Sequence, residues 1–163
     1  MNRLQDSAWQ YVAEVIHTED LPMLAAHSLV DGHDSPALRE LAGLPRTGHA
    51  DLVRELYLQA LDELGVPVPD EDTAGRRLLV RLAFGLVRGE LSPRGVADRL
   101  SVAVTAHTPD ETRFLSLAAG YDEWIGPDDL REWELGLLNA ARSLAACTDL
   151  APSASYPVQG AAD

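Results

Sequence analysis

The stretch DEDTAGRRLLVRLAFGLVRG, residues 70–89, has the features of one buried helix from its beginning to its end. Its first residues are acidic, and acidic side chains complement the positive end of the helix dipole. Residues 78–87 are apolar almost all round, with Arg81 and Gly85 as the exceptions, and Gly89 supplies a stop. We therefore predict a central helix that ends just before Gly89.

The same helical signals recur on both sides of this stretch, while strand signals are nearly absent. A capping residue followed by proline at the first helical position stands at Ser35-Pro36, Ser92-Pro93 and Thr108-Pro109. Glycines that follow apolar stripes mark several helix ends. The predicted helices cover about residues 6–17, 18–30, 36–42, 47–64, 70–88, 92–107, 108–120 and 126–149. The fold class that follows is all-α: a single-domain, irregular (orthogonal) bundle of about eight helices.

The 163 residues and the 46% hydrophobic fraction fit one domain of ordinary size. We expect a helical domain over residues 1–150 and a disordered C-terminal tail over residues 151–163, which carry no charge before Asp163 and show no periodicity. No apolar run is long enough to span a membrane, and the first ten residues lack the apolar core of a secretory signal. A cytoplasmic location is therefore expected.

The net negative charge of the chain favours a positively charged protein partner. The formal net charge is −13, from 26 acidic residues and 13 basic ones. All 13 basic residues are arginines, a bias typical of a GC-rich, actinobacterial-type source. The acidic surplus disfavours free nucleic acid and anionic membranes, which attract basic surfaces. It attracts a basic protein partner instead. Residues 76–99 are the exception: six arginines against two acids give a net charge of +4, which leaves −17 for the remainder.

Two stretches, AAHSLVDGHDSPALRELAGL at residues 25–44 and GELSPRGVA at residues 89–97, resemble a family of small all-helical actinobacterial proteins of uncharacterised function. The resemblance implies a helical fold and a bacterial cytosolic setting. It brings no catalytic residues to this chain.

The segment from Tyr121 to Trp124 is the predicted partner-binding site. Tyr121, Asp122, Glu123 and Trp124 lie between two predicted helices, at the start of an acidic and aromatic region that extends to Glu134. Acidic side chains with interleaved aromatic rings are suited to an arginine-rich partner. Burial of the rings in a core is the alternative explanation.

A second candidate site is a metal centre formed by His27, Asp31, His33 and Asp34. Imidazole and carboxylate groups one helical turn apart can bind a divalent ion. The His33-Asp34 pair resembles the HD phosphohydrolases, which are helical metal enzymes, so the resemblance implies a metal-dependent hydrolase. The structural alternative is a turn, in which Gly32 ends one helix and Asp34 or Ser35 caps the next.

The third candidate is an anion site for a small molecule, formed by Arg77, Arg81 and Arg88 on a similar side of the predicted central helix. Three guanidinium groups can clamp a phosphate or a carboxylate, and pairing with the surplus acids is the alternative. Signals for nucleophilic catalysis and for a phosphate-binding loop are absent, and the single Cys147 is expected to be a buried, inert thiol. We therefore expect no cofactor. The leading hypothesis is a non-enzymatic interaction protein, immunity-, antitoxin- or adaptor-like.

Overall fold

A computed structural model describes residues 3–100 and 104–149. These residues form eight α-helices and no strand, which confirms the predicted all-α class and the number of helices. A short 3₁₀ turn, Thr18–Asp20, precedes the second helix. The helices are α1 Arg3–Val12, α2 Leu21–Val30, α3 Pro36–Ala42, α4 Ala50–Glu63, α5 Glu71–Val87, α6 Pro93–Arg99, α7 Pro109–Ala119 and α8 Pro127–Asp149.

Three of the helices that begin with proline, α3, α6 and α7, are capped as the sequence predicts. Ser35 Oγ accepts the Leu38 N–H at 3.2 Å at the start of α3. At the start of α7, Thr108 and Glu111 form a reciprocal capping box. The Glu111 carboxylate, 3% exposed, accepts the N–H groups of Thr108 and His107 at 3.0 and 2.8 Å. Local side-chain chemistry therefore fixes where these helices begin.

Two helix ends differ from the prediction. α1 ends at Val12 and not near His17, because the chain reverses at Glu14, whose φ of 55° lies in the left-handed region. The Val15 N–H then bonds to the Gln10 carbonyl at 2.8 Å, a closure that usually has glycine at the left-handed position.

α6 likewise ends at Arg99 and not near His107. Residues 104–107 are not helical, and Val104 packs against Gly75, where an added Cβ would lie 3.1 Å from Val104 Cγ1. Val104, which lies within the predicted helix 92–107, therefore packs against α5 from a non-helical segment.

The chain divides into two compact units, Met1–Leu78 with Val102–Thr105 and Leu79–Ser101 with Ala106–Asp163. The expectation of one domain over residues 1–150 stays a prediction, and the expected tail, 151–163, lies outside the described residues. Within residues 3–100 and 104–149, no helix has the length and apolar character needed to cross a membrane.

In the first unit, α2 packs on α3 and on α4, and α3 packs on α4. Tyr57 of α4 is one of the largest side chains in the core, with 0% of its surface exposed. The core cluster also contains Leu4, Ala8, Leu21, Ala25, Ala37, Leu38, Leu41, Val53, Leu56, Ala60, Leu61 and Val66.

The Tyr57 hydroxyl is satisfied inside this core. Ser7 Oγ donates to the Leu4 carbonyl at 2.8 Å and lies 2.8 Å from the Tyr57 hydroxyl. Because the single Ser7 proton is used, Tyr57 is the donor to Ser7. Tyr11 packs edge-on against the Tyr57 ring at a centroid distance of 5.0 Å. Burial raises the pKa of Tyr57 to about 12.

In the second unit, α6 and α8 both pack on α7, and α6 also packs on α8. The residues of α5 are divided between the units after Leu78. The helix is largely buried along its apolar stretch, as predicted. The helix contributes Leu79, Leu82, Ala83 and Leu86 to the buried hydrophobic residues of the second unit; the others are Val96, Phe114, Ala118, Leu137, Ala140, Ala141, Leu144 and Ala145.

Candidate functional site

The connection between α7 and α8 is a turn fixed by hydrogen bonds. Asp122 Oδ1 accepts the Trp124 N–H at 3.0 Å, and the Asp122 carbonyl accepts the Ile125 N–H at 3.1 Å. Aspartate favours such turns because its short carboxylate reaches the backbone two residues on. We call residues 121–124 the aromatic turn.

Trp124 of the aromatic turn projects into solvent. The residue is 91% exposed, more than any other large apolar residue that the structure describes. By contrast, Trp9 is 5% exposed. Indole is costly to leave in water, and Trp is enriched at the centres of protein interfaces, so an exposed Trp on a fixed turn indicates an interaction surface.

The Tyr121 ring of the aromatic turn packs against α8. The ring lies 5.0 Å from the ring of Trp133, measured between centroids. Trp133 is part-buried on α8, and its Nε1 donates to the Leu117 carbonyl of α7 at 2.7 Å. Tyr121 thus anchors the turn to both helices, and of the two aromatic rings in the turn only that of Trp124 is largely exposed.

Arg94 of α6 reaches the aromatic turn and completes it. The guanidinium carbon lies 5.7 Å from the centroid of the Tyr121 ring, and Arg94 Nη2 lies 3.5 Å from Glu123 Oε1. Both charged side chains are more than half exposed, so the ion pair itself contributes little to stability. Sequence reasoning placed Arg94 only in the basic segment 76–99. The contact joins residues 29 apart, and no local pattern reports it.

The electrostatic environment of the aromatic turn is negative. Residues 121–134 contain six acids, Asp122, Glu123, Asp128, Asp129, Glu132 and Glu134, and one base, Arg131, for a net charge of −5. All six acidic residues are exposed. The four residues predicted for partner binding are therefore adjacent in a single turn with exposed carboxylates and one exposed indole.

The structure does not bring His27, Asp31, His33 and Asp34 together as metal ligands. Across residues 3–100 and 104–149, no three His, Cys, Asp or Glu side chains are arranged to hold a metal ion. Asp31 pairs with Arg3 at 3.1 Å. Asp34 receives two bonds from Arg39, at 2.6 and 2.5 Å, and this arginine holds the pKa of the Asp34 carboxyl below its usual range. His33 lies in the turn before α3, whose cap is Ser35, so these residues match the structural alternative of a helix end and a cap.

The three arginines of the anion site differ in their surroundings. Arg77 and Arg81 are exposed on α5. Arg88 follows the end of the helix, where its guanidinium carbon lies 5.5 Å from the Phe84 ring centroid and its Nη1 lies 4.0 Å from Glu90 Oε1. The Arg88 guanidinium thus already has an acidic neighbour, Glu90, in its own segment.

Two surface grooves lie in the first unit. One, of about 400 Å³, is lined by His17, Thr18, Glu19, Arg46, Gly48, Ala50 and Val53. The other, of about 340 Å³, is lined by Arg3, Val15, Ile16, Asp20, Met23, Leu24, His27 and Arg46. Arg46 borders both grooves and is held by Asp20. The first groove has His17 and Glu19 on its lining and the second has Asp20 and His27, and in the part of the chain that the structure describes no three such side chains are arranged to hold a metal ion.

Cys147 corrects the expectation of a buried thiol. The residue is exposed on α8, and its Sγ lies 3.2 Å from Asp110 Oδ2. The hydrogen bond to this carboxylate and its negative charge raise the pKa of the thiol. A raised pKa lowers the thiolate fraction, so the position does not suit a nucleophile.

Comparisons of this chain with protein-family models, with curated proteins and with solved structures find no match.

Proposed function

We propose that this chain is a non-enzymatic interaction protein that binds a basic protein partner through the aromatic turn, as an immunity protein, an antitoxin or an adaptor does. The observation that carries the proposal is the 91% exposure of Trp124 within a segment of net charge −5. The indole offers the apolar contact area of an interface anchor, and the surrounding carboxylates favour a partner with a positively charged surface.

The hydrogen bonds of the turn support the same role. Asp122 accepts the N–H groups of Trp124 and Ile125, so the turn is ordered before a partner arrives. An ordered surface loses less conformational entropy on binding than a mobile one, and this raises affinity.

Calorimetric titration with defined peptides tests the proposal. The probe is a peptide of alternating arginine and serine, and the control is the same peptide with glutamate at each arginine. We expect the basic peptide alone to bind, with affinity that falls steeply between about 50 and 500 mM salt as the charges are screened. Failure of the basic peptide to bind at low salt would overturn the proposal.

A pair of matched variants locates the binding surface. Trp124→Ala is expected to weaken binding of the basic peptide at least about tenfold, the loss of one interface anchor. Val30→Ala removes a residue that is 86% exposed in the first unit and is expected to leave the affinity unchanged. Equal affinities for Trp124→Ala and the unaltered chain would exclude the aromatic turn as the site.

A further inference from the structure

The aromatic turn already contains one filled site for an arginine side chain. Arg94 lies over the Tyr121 ring at 5.7 Å and reaches the Glu123 carboxylate at 3.5 Å. A ring face below and a carboxylate beside the guanidinium are the two contacts that distinguish arginine from other side chains. The chain thus holds its own arginine with an aromatic residue and an acid two positions apart.

Asp122 and Trp124 offer the same two groups in an unfilled state. Within residues 3–100 and 104–149, no guanidinium or ring contacts the Trp124 indole, which is 91% exposed. Asp122 Oδ1 accepts the Trp124 N–H, and its other oxygen, Oδ2, has no partner in the described residues. An indole face attracts a cation more strongly than a phenol ring does.

We infer that Trp124 and Asp122 bind an arginine side chain of the partner, in the way that Tyr121 and Glu123 hold Arg94. The inference rests on the proposed function and narrows it from a basic partner to an arginine-presenting one. Arginine fits because its planar group stacks on a ring while its N–H groups still face a carboxylate. The compact ammonium of lysine has no plane to stack.

The decisive measurement compares two peptides of equal charge, the arginine–serine peptide and the same peptide with lysine at each arginine. We expect the arginine peptide to bind at least about fivefold more tightly. Equal affinities for the two peptides, both lowered by Trp124→Ala, would overturn the arginine site and leave the proposed function standing. Absence of binding by both peptides would overturn the proposed function itself.

Asp122→Asn and Glu123→Gln separate the local contact from the overall charge. Each variant removes one negative charge, and asparagine keeps an oxygen that can accept the Trp124 N–H. We expect Asp122→Asn to reduce the ratio of arginine-peptide affinity to lysine-peptide affinity to about one. Glu123→Gln is expected to preserve this ratio, because the partner of Glu123 is Arg94 of the same chain. The same ratio in both variants would show that the preference does not arise from Asp122 and would overturn the inference.

Discussion

Tyr57 in the first unit and Trp124 in the second are both large aromatic residues in an acidic chain, and their surroundings are opposite. Tyr57 is fully buried, its hydroxyl bonds to Ser7, and the ring of Tyr11 packs against its ring. Trp124 is 91% exposed, and only its backbone is held. Burial of the Tyr57 ring contributes to the free energy of folding. Burial of the exposed Trp124 ring would contribute instead to the free energy of binding a partner. Tyr57 is thus an aromatic residue that maintains the fold, whereas Trp124 is free for the partner contact proposed above.

The largest expected effect is on the stability of the first unit. Tyr57→Ala removes a fully buried ring and is expected to lower the free energy of unfolding by about 3–5 kcal/mol. Urea denaturation followed by circular dichroism measures this change. Tyr57→Phe keeps the ring, and Ser7 keeps its bond to Leu4, so this control is expected to lose far less. A large loss in the control would place the stabilisation in the hydroxyl and not in the packing.

Alkaline pH is expected to destabilise the first unit through the same residue. The pKa of Tyr57 is about 12 when folded and close to its ordinary value of 10 when unfolded. The unfolded chain therefore releases the proton first, and the folded state loses relative stability as the pH rises from about 10 to 12, by up to about 2–3 kcal/mol. Because the sequence has no lysine, few other groups titrate in this range. Unfolding measured against pH should show a clearly smaller decline for Tyr57→Phe, and the same decline in both proteins would assign the effect to other groups.

A smaller effect is expected when the partner of the Tyr57 hydroxyl is removed. Ser7→Ala leaves that buried hydroxyl without its acceptor, at an expected cost of about 1–2 kcal/mol. Ser28→Ala is the matched control: Ser28 is equally buried, but its hydroxyl bonds only to the Leu24 carbonyl of its own helix. Thermal unfolding of the two variants gives the difference, and a greater loss for Ser28→Ala would contradict the role assigned to the Ser7–Tyr57 bond.

The smallest expected effect on stability is at Trp124. Trp124→Ala is expected to change the free energy of unfolding by less than about 0.5 kcal/mol, because the exposed indole contributes little to the folded state. Chemical denaturation checks this value. A loss near that of Tyr57→Ala would mean that the indole is packed and that the aromatic turn presents no free interaction surface.

The starts of α3 and α7 could be predicted from sequence, whereas the start of α1 and the ends of α1 and α6 could not. Ser35 and Thr108 cap α3 and α7 through bonds that span three residues, so the information is local. The end of α1 was missed because the left-handed position is occupied by Glu14 and not by glycine. The reversal is closed by local backbone bonds, among them Val15 N–H to the Gln10 carbonyl, and no glycine in the sequence marks it.

The candidate site was predictable in composition and not in geometry. The sequence places the two aromatic and two acidic residues of the aromatic turn side by side, but it cannot distinguish the exposed Trp124 from Tyr121, whose ring packs against Trp133. That distinction depends on which helices pack together. In the same way, the sequence shows Asp31 as a possible ligand, whereas its pairing with Arg3 joins residues distant along the chain.

The contrast among the three tryptophans gives the protein a built-in optical reporter. Trp9 is buried, Trp133 is part-buried with its indole N–H bonded to a carbonyl, and Trp124 faces water. The intrinsic fluorescence should therefore contain one component that is red-shifted and readily quenched by acrylamide, beside two that are shielded. A molecule that covers Trp124 would shift that component to the blue and protect it from the quencher. Contact at the aromatic turn can thus be followed in the unlabelled protein.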